Sequence, residues 1–227
     1  MRYVLRVAVV DRPGALGAVA SALGEAGVDI ESLDVIDRVD GIAVDDVRVV
    51  TTVGAAQLRA VFEAVPGVAV EALDAVAPEL PATTPTALAA TLAESRGDVL
   101  QRLVEGLPAA LGATWAVAIC DGVAGLTTLA SGTDAPCVPG GLRLPCFPLQ
   151  GVRRLPHARW MPPEWGGPGQ RPEVAAAALH APYAAVLLGR RGGPRFRAAE
   201  LERVAELARV AVATAQHADL AGLTTAT

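Results

Sequence analysis

Lysine is missing from this sequence, and all 19 basic residues are Arg. Alanine abounds alongside, so the absence reads as a coding bias toward G+C and not as a functional signal. Charge is scarce too, with 19% charged residues and a net charge of -5. Nucleic-acid binding normally shows as a basic patch, so no nucleic-acid partner is expected. No apolar run is long enough to span a bilayer, so no membrane partner is expected either. Met1 to Val10 is basic and apolar like a short signal peptide. It is too short for one and runs straight into Asp11-Arg12-Pro13, so it reads as a strand. The three cysteines are an odd number without framework spacing, which fits a reducing, cytoplasmic setting. His157, His180 and His217 lie far apart, none with a partner at metal-ligand spacing. No Gly-x-Ser-x-Gly elbow, P-loop or dinucleotide fingerprint is present. The expectation is no metal, no cofactor and no enzyme.

What is present is an ample apolar fraction, 52% of 227 residues, enough for two small domains with real cores. Tyr3 to Val10 reads as a buried strand, and Asp11-Arg12-Pro13-Gly14 as a turn. Leu16, Val19, Ala20 and Leu23 recur at helical spacing, and Gly27 stops that helix. A second strand is expected over Leu33 to Val39. Asp40-Gly41 then makes a hairpin, since both residues tolerate positive φ. The third strand runs through Ile42, Val44, Val47 and Val49. Its apolar parity changes across Asp45-Asp46, which predicts a bulge there. Leu58, Val61, Phe62 and Val65 mark a second helix, closed by Pro66-Gly67, and Val68 to Val76 a fourth strand. The order β-α-β-β-α-β is the ferredoxin-like arrangement of an α+β domain.

Ala77 to Thr84, with Pro78 and Pro81, reads as a linker. Thr84 caps the next helix, with Pro85 at its first position. That helix is expected through Leu88, Leu92, Leu100, Leu103 and Leu107, weakened at Gly97 and ended or kinked by Pro108. Trp115, Val117 and Ile119 alternate as a strand. Asp121-Gly122 turns the chain into a hairpin partner at Leu126 to Ala130. Gly132 to Pro172 is dense in Gly and Pro and has no clear period, with short strands conceivable near Leu142 to Leu149. Glu173 to Leu179 looks helical, Tyr183 to Leu188 a strand, and Arg190 to Pro194 a turn. An amphipathic helix follows from Ala198, with Leu201, Val204, Leu207, Ala208 and Val212 on one face. The tail beyond His217 should fray. The domain reading is 1–77, a linker and helix start at 78–95, a second domain at 96–217, and a tail at 218–227.

Val9-Val10-Asp11-Arg12-Pro13-Gly14-Ala15-Leu16, followed by Gly27-Val28-Asp29-Ile30-Glu31-Ser32-Leu33, resembles an ACT domain, covering about the first third of the chain. The resemblance implies small-ligand binding, usually of amino acids, between paired domains, hence a homodimer. It implies a site drawn from Asp11, Arg12, Pro13, Gly14, Ala15 and Leu16, with Val28, Asp29 and Ile30. The residues themselves support this role. Gly14 permits close backbone approach. The helix starting near Ala15 points free N–H groups at the loop, which suits a carboxylate. Asp11 can accept from an ammonium group, and Arg12 can hold an anion. The plainer alternative is that Asp11 merely caps the helix and Pro13-Gly14 merely turns the chain. Asp40-Gly41 and Asp45-Asp46 are read as turn and bulge chemistry.

Ala184 to Phe196, then Glu200-Leu201 and a helix, resembles the last strand, hairpin tip and closing helix of a GAF domain. Leu111-Gly112-Ala113-Thr114-Trp115-Ala116-Val117 fits that family's entry into its sheet. Such a domain has an antiparallel sheet with flanking helices. The resemblance does not extend through Gly132 to Pro172, which leaves any ligand there open. Trp160 to Trp165 either lines a pocket or packs as a lid. Arg190-Arg191 reads as a solvated hairpin tip before a phosphate site. Some GAF-fold enzymes reduce methionine sulfoxide with loop cysteines, and Cys137 and Cys146 sit in such a loop with eight residues between them. The extended cysteine motifs of those enzymes are absent, and Cys120 reads as core. Asp134, Asp45-Asp46 and Glu200-Glu202 carry no cleft argument for catalysis. The expected protein is therefore a cytoplasmic, non-catalytic regulator that couples an amino acid or similar small metabolite to a GAF-like domain, with a protein partner or second ligand as output; the alternatives are a thiol-dependent GAF-fold reductase and a dimerisation module that binds no ligand.

Overall fold

The computed structural model describes residues 1–76, 83–123, 125–180 and 183–224. The chain divides into two units, Met1–Leu80 and Pro81–Thr227. The fold is α+β in both.

The first unit is built from β1 (Arg2–Val10), α1 (Ala15–Glu25), β2 (Asp29–Val39), β3 (Ile42–Val50), α2 (Ala55–Glu63) and β4 (Val68–Val76). The sheet order is β2-β3-β1-β4, all antiparallel. Alternate residues of a strand share a face, so Tyr3, Leu5, Val7 and Val9 of β1 all enter the core. They pack there with Val47 and Val49 of β3, Val19 and Leu23 of α1, and Leu58 and Phe62 of α2. Asp40 and Gly41 make the β2–β3 turn with φ of 52° and 75°, as their tolerance of the left-handed region predicts. β2 starts at Asp29, earlier than the apolar run at Leu33 suggested, because its first four residues alternate exposed and half-buried and carry no continuous apolar signal.

The bulge is not where the parity change placed it. β3 pairs with β1 in unbroken register from Val50 to Ile42. The shifts fall in the pairing with β2, between Ile30 and Ser32 and between Val35 and Asp37. The parity of β3 changes because both of its faces take apolar residues. Val44 is buried on the face opposite Val47 and Val49, and Asp45 occupies a position on the core face.

The second unit contains α3 (Pro85–Ala93), α4 (Val99–Leu111), β5 (Trp115–Gly122), β6 (Gly125–Ser131), β7 (Val152–Leu155), β8 (Pro172–Ala178), β9 (Ala184–Arg191) and α5 (Ala198–Thr224). Its antiparallel sheet has the order β6-β5-β9-β8-β7. One face carries the helices: Ala116, Ala118, Ala175, Ala177, Val186 and Leu188 meet Leu88, Leu92, Leu103, Leu107 and Val204. The other carries the irregular segment, with Leu144, Leu149, Met161 and Trp165 over Val117, Ile119 and Leu187.

Four expectations change here. The single helix from Pro85 is two, broken at Arg96-Gly97-Asp98, where Asp98 takes a φ of 51°. Thr84 does cap α3, its hydroxyl accepting from the Ala87 amide at 3.1 Å. Pro108 does not end α4, which continues through it to Leu111. Its missing N–H leaves the Val104 carbonyl without its usual donor, and Gly132 packs against that oxygen so closely that a Cβ would lie 2.8 Å away. Glu173 to Leu179 is not helical. Its alanines form β8, because both sheet faces are covered there and Val174 to Ala177 are all fully buried. Tertiary packing overrides alanine's helix propensity. No strand forms over Leu142 to Leu149; the added strand is β7, just beyond. Pro78 and Pro81 of the linker lie outside the described residues, as does the side chain of His217, although α5 itself runs on to Thr224.

Candidate functional site

β1 delivers the chain to a tight turn. The Arg12 amide donates to the Val10 carbonyl at 2.9 Å, and the Ala15 amide donates to that of Arg12 at 3.1 Å. Gly14, at φ 85°, is the N-cap of α1, and no side chain caps the helix. Asp11 is thus not the cap, and its carboxylate is left to the surface. Helix geometry gives the first-turn amides of Leu16 and Gly17 no intrahelical acceptor. They sit at the positive end of the helix dipole.

A cavity of about 400 Å³ opens at this turn. That size suits a small metabolite. The whole run Asp11, Arg12, Pro13, Gly14, Ala15 and Leu16 lines it, joined by Gly17 and by Val9, Ala43, Arg38 and Asp45 from the sheet. Val28, Asp29 and Ile30 are not among its lining residues. Asp29 pairs with Val50, and Val50 with Arg2, at the end of the sheet away from Val10 and Ile42. Val28 is a core residue, Ile30 packs beside it, and Asp29 is exposed.

Asp45 is the residue that sequence reasoning missed. The Asp45-Asp46 pair divides across the sheet, since neighbours on a strand point to opposite faces. Asp46 meets Arg6, its cross-strand partner, through two bonds of 2.8 Å from Nε and Nη2. Asp45 turns the other way, opposite Val7, and is fully buried. Neither of its carboxylate oxygens has a hydrogen-bond partner among the described residues. Burial pushes its carboxyl above the usual carboxylate range, the nearby Arg38 draws it back down, and Asp11 and Asp46 push it further up. The only sequence signal was the acidic residue at a core-parity position of a strand.

The second unit arranges its marked residues differently. Arg190 is not a solvated tip. It is buried, and its guanidinium donates to the carbonyls of Leu111, Gly112 and Pro194, pairs with Glu200, and lies 4.1 Å over the Phe196 ring. Trp165 is a core residue, so the Trp160 to Trp165 stretch packs as a cover. Its ring meets Trp115 edge-on at 5.5 Å, and Trp115 Nε1 donates to the Trp165 carbonyl at 3.2 Å. Cys146 is buried, Cys137 exposed and Cys120 half-buried. Burial raises the Cys146 thiol above its ordinary value, against a smaller opposing pull from Arg153. Asp134 and Arg191 are joined on the surface through the Asp134 carbonyl. His180 contacts Gln216. Among the described residues, no group of three or more His, Cys, Asp or Glu could hold a metal. Among the described residues, no helix is long and apolar enough to cross a membrane.

The ACT domain family model matches residues 3–67. No family model identifies the second unit. No curated protein matches the chain. Among solved structures, the chain is similar to an ACT domain protein from Streptococcus pneumoniae. Identity is 20% and the TM-score 0.28, covering 33% of this chain and 88% of that one. It is also similar to an unknown protein from Galdieria sulphuraria. There identity is 21% and the TM-score 0.28, covering 40% of this chain and 63% of that one. With the β-α-β-β-α-β order and the sheet order already described, residues 3–67 of this chain form an ACT domain.

Proposed function

We propose that this protein is a non-catalytic regulator whose ACT domain binds a small carboxylate-bearing metabolite, with amino acids as the first class to consider. One observation carries the reading: the cavity at the Asp11–Gly17 turn, into which an uncapped helix N-terminus presents its first-turn amides. A carboxylate placed there gains both the amides and the helix dipole, with Arg12 and Arg38 adding positive charge on the cavity wall. A second copy of the chain, the partner that the ACT resemblance implies, would pair domains in a twofold dimer.

The second unit is read as GAF-like. Support comes from its antiparallel sheet with helices on one face, closed by β9, a tight glycine turn and α5. Ligand binding reaches it only if the protein has two states that bind the ligand differently. The first element beyond the ACT domain to receive the change is α3, whose Leu88 and Leu92 are built into the second core. The output is then a second ligand or a partner protein. A thiol-redox enzyme has less support, because one of its two loop thiols, Cys146, is buried and disfavoured as a thiolate.

The test is a melting curve of the whole chain in the presence of each common L-amino acid in turn. A ligand that binds only the folded form raises the melting point. A rise with one or a few of them is the expected result. No rise with any removes amino-acid sensing.

A further inference from the structure

A fully buried carboxyl and two exposed guanidiniums lie at one cavity without being joined. Asp45 is fully buried, and neither of its oxygens has a hydrogen-bond partner among the described residues. Arg12 and Arg38 line the same cavity and are exposed. Among the described residues, neither guanidinium stands in an ion pair. Asp46, next along β3, shows the ordinary arrangement, a bidentate arginine. A buried ionised group without a partner is strongly disfavoured. The enclosure around Asp45 therefore suits its protonated form.

The strand beside Asp45 has a weak point next to it. Asp45 pairs with Val35 of β2, but the following pair is Val44 with Asp37, so Ile36 is an extra residue on β2. A bulge of this kind interrupts the ladder and bends the strand that carries it. β2 is an edge strand, held on one side only, whereas β1 and β3 keep an unbroken register past Asp45. Arg38 lies just beyond the bulge, opposite Ala43, and so on the face that Ala43 and Asp45 share.

We propose that the end of β2 beyond this bulge, Asp37 to Val39, is a pH-operated latch governed by Asp45. With Asp45 protonated, this end stays closed beside the buried carboxyl. When Asp45 releases its proton to solvent, the end shifts, water enters, and Arg38 meets the carboxylate. A lone buried charge is thereby exchanged for a solvated ion pair. Opening releases one proton. Its equilibrium constant therefore rises about tenfold per pH unit wherever the closed form keeps the proton and the open form does not. The other charges around Asp45 come from each neighbouring element. Asp11, after β1, and Asp46, on β3, disfavour the ionised form, and Arg12 stands on the loop before α1. Asp34 and Asp37 of β2 pair with Asp46 and Val44, on the opposite face. The one charged residue of α1 is Glu25, at its far end, and Arg59 and Glu63 of α2 pair with each other. The latch does not depend on what the cavity binds. It does take Arg38 from the cavity wall on opening, so an anion held there would bind more weakly as pH rises.

Amide hydrogen exchange of the full chain, followed by NMR from about pH 4 to about pH 8 and corrected for intrinsic rates, reads the latch. The amides of Asp37 to Gly41, and that of Asp11, which donates to the Gly41 carbonyl at 2.8 Å, report on it. They should lose at least about tenfold in protection across the range, while Leu5 and Val7 of β1 stay protected. Asp45→Asn should hold the segment closed at every pH. Arg38→Gln should blunt the loss, because the ionised carboxylate loses the cation that answers it. Protection that does not change with pH overturns the latch. So does a loss shared equally by Leu5 and Val7, which is unfolding of the whole domain, and so does a loss that persists in Asp45→Asn. If Asp45→Asn does not fold, the pH series of the parent and of Arg38→Gln, a change at an exposed residue, still decides.

Discussion

Asp45 lies directly opposite Val7 in the ladder between β3 and β1, a carboxylate facing a fully buried valine on the sheet face that packs against α1 and α2. The consequence for the ligand-free protein can be measured. The folded state holds the carboxyl of Asp45 above its ordinary value of 3.8, chiefly through burial. A raised folded-state value means that the residue's contribution to stability is fully present below 3.8 and is lost as pH rises through the raised value. Burial of this carboxyl therefore costs stability as pH rises above 3.8. Asp45→Asn, of the same shape and uncharged, should therefore be more stable than the parent near pH 7, by something on the order of 1 kcal/mol. The gap should close on acidification. Urea unfolding of both proteins across that range checks it, and a parent more stable than the variant at neutral pH contradicts the account.

The second unit hangs together at Arg190. Gly112 closes α4 with a φ of 58°, and the Leu111 and Gly112 carbonyls turn toward the guanidinium. Glu200, in the first turn of α5, completes the ring of acceptors and also takes the Arg197 amide at 2.8 Å. One side chain thus ties the end of one helix, the last strand and the start of another helix. Removing one member of a buried pair leaves the other charge without compensation, at a cost of about 3–5 kcal/mol. Glu200→Ala should lose stability on that scale. Arg190→Lys should fail to restore it, because an ammonium cannot serve three carbonyls and a carboxylate in the geometry of a planar fork. Chemical denaturation of the two variants reads both effects.

Gly189 stands across the ladder from Trp115, and a Cβ there would fall 2.0 Å from the indole. Trp115 is fully buried against Trp165 and cannot swing aside. Gly189→Ala should destabilise the second unit by about 1–3 kcal/mol or more, the usual cost of overpacking. Tryptophan fluorescence should shift with it, since the Trp115–Trp165 contact is what the methyl group displaces. A melting point unchanged by the substitution would refute this packing role.

Much of this arrangement could be read along the chain, and the rest fails for identifiable reasons. The first unit's order was legible because its apolar residues keep period two or period 3.6 between Gly and Asp turns. The Asp40-Gly41 hairpin needed only those two residues. β8 was not legible: Glu173 to Leu179 is alanine-rich, and alanine becomes a strand residue only where helices and a covering segment bury both faces of the sheet. Arg190 read as solvated because its acceptors, Leu111 and Gly112, lie far away in sequence. The loop half of the candidate site, Asp11 to Leu16, was visible as a turn with a glycine before a helix. Asp45 was hidden for the opposite reason. Its acidic neighbour invited a reading of the pair together, and only strand alternation, with Asp46 clamped by Arg6, separates the two roles.

The two cysteines of the covering segment give a final check on whether that segment does chemistry. A thiol-dependent reductase would need an attacking thiolate and a second thiol to resolve it. Cys137 is exposed, while Cys146 is buried beside Leu144 and Leu149, and burial raises its thiol above the ordinary value. The Arg153 guanidinium, which donates to the Cys146 carbonyl at 3.0 Å, opposes that rise without cancelling it. The thiolate is the reactive form, so at neutral pH Cys146 should resist alkylation in the folded protein. Iodoacetamide labelling followed by peptide mass spectrometry should show Cys137 modified first and Cys146 modified only in denaturant. The same protein should leave methionine sulfoxide unreduced in the presence of a dithiol. Rapid labelling of folded Cys146 would contradict its burial, and turnover that vanishes in Cys137→Ser and Cys146→Ser would make this an enzyme and displace the regulatory reading of the second unit.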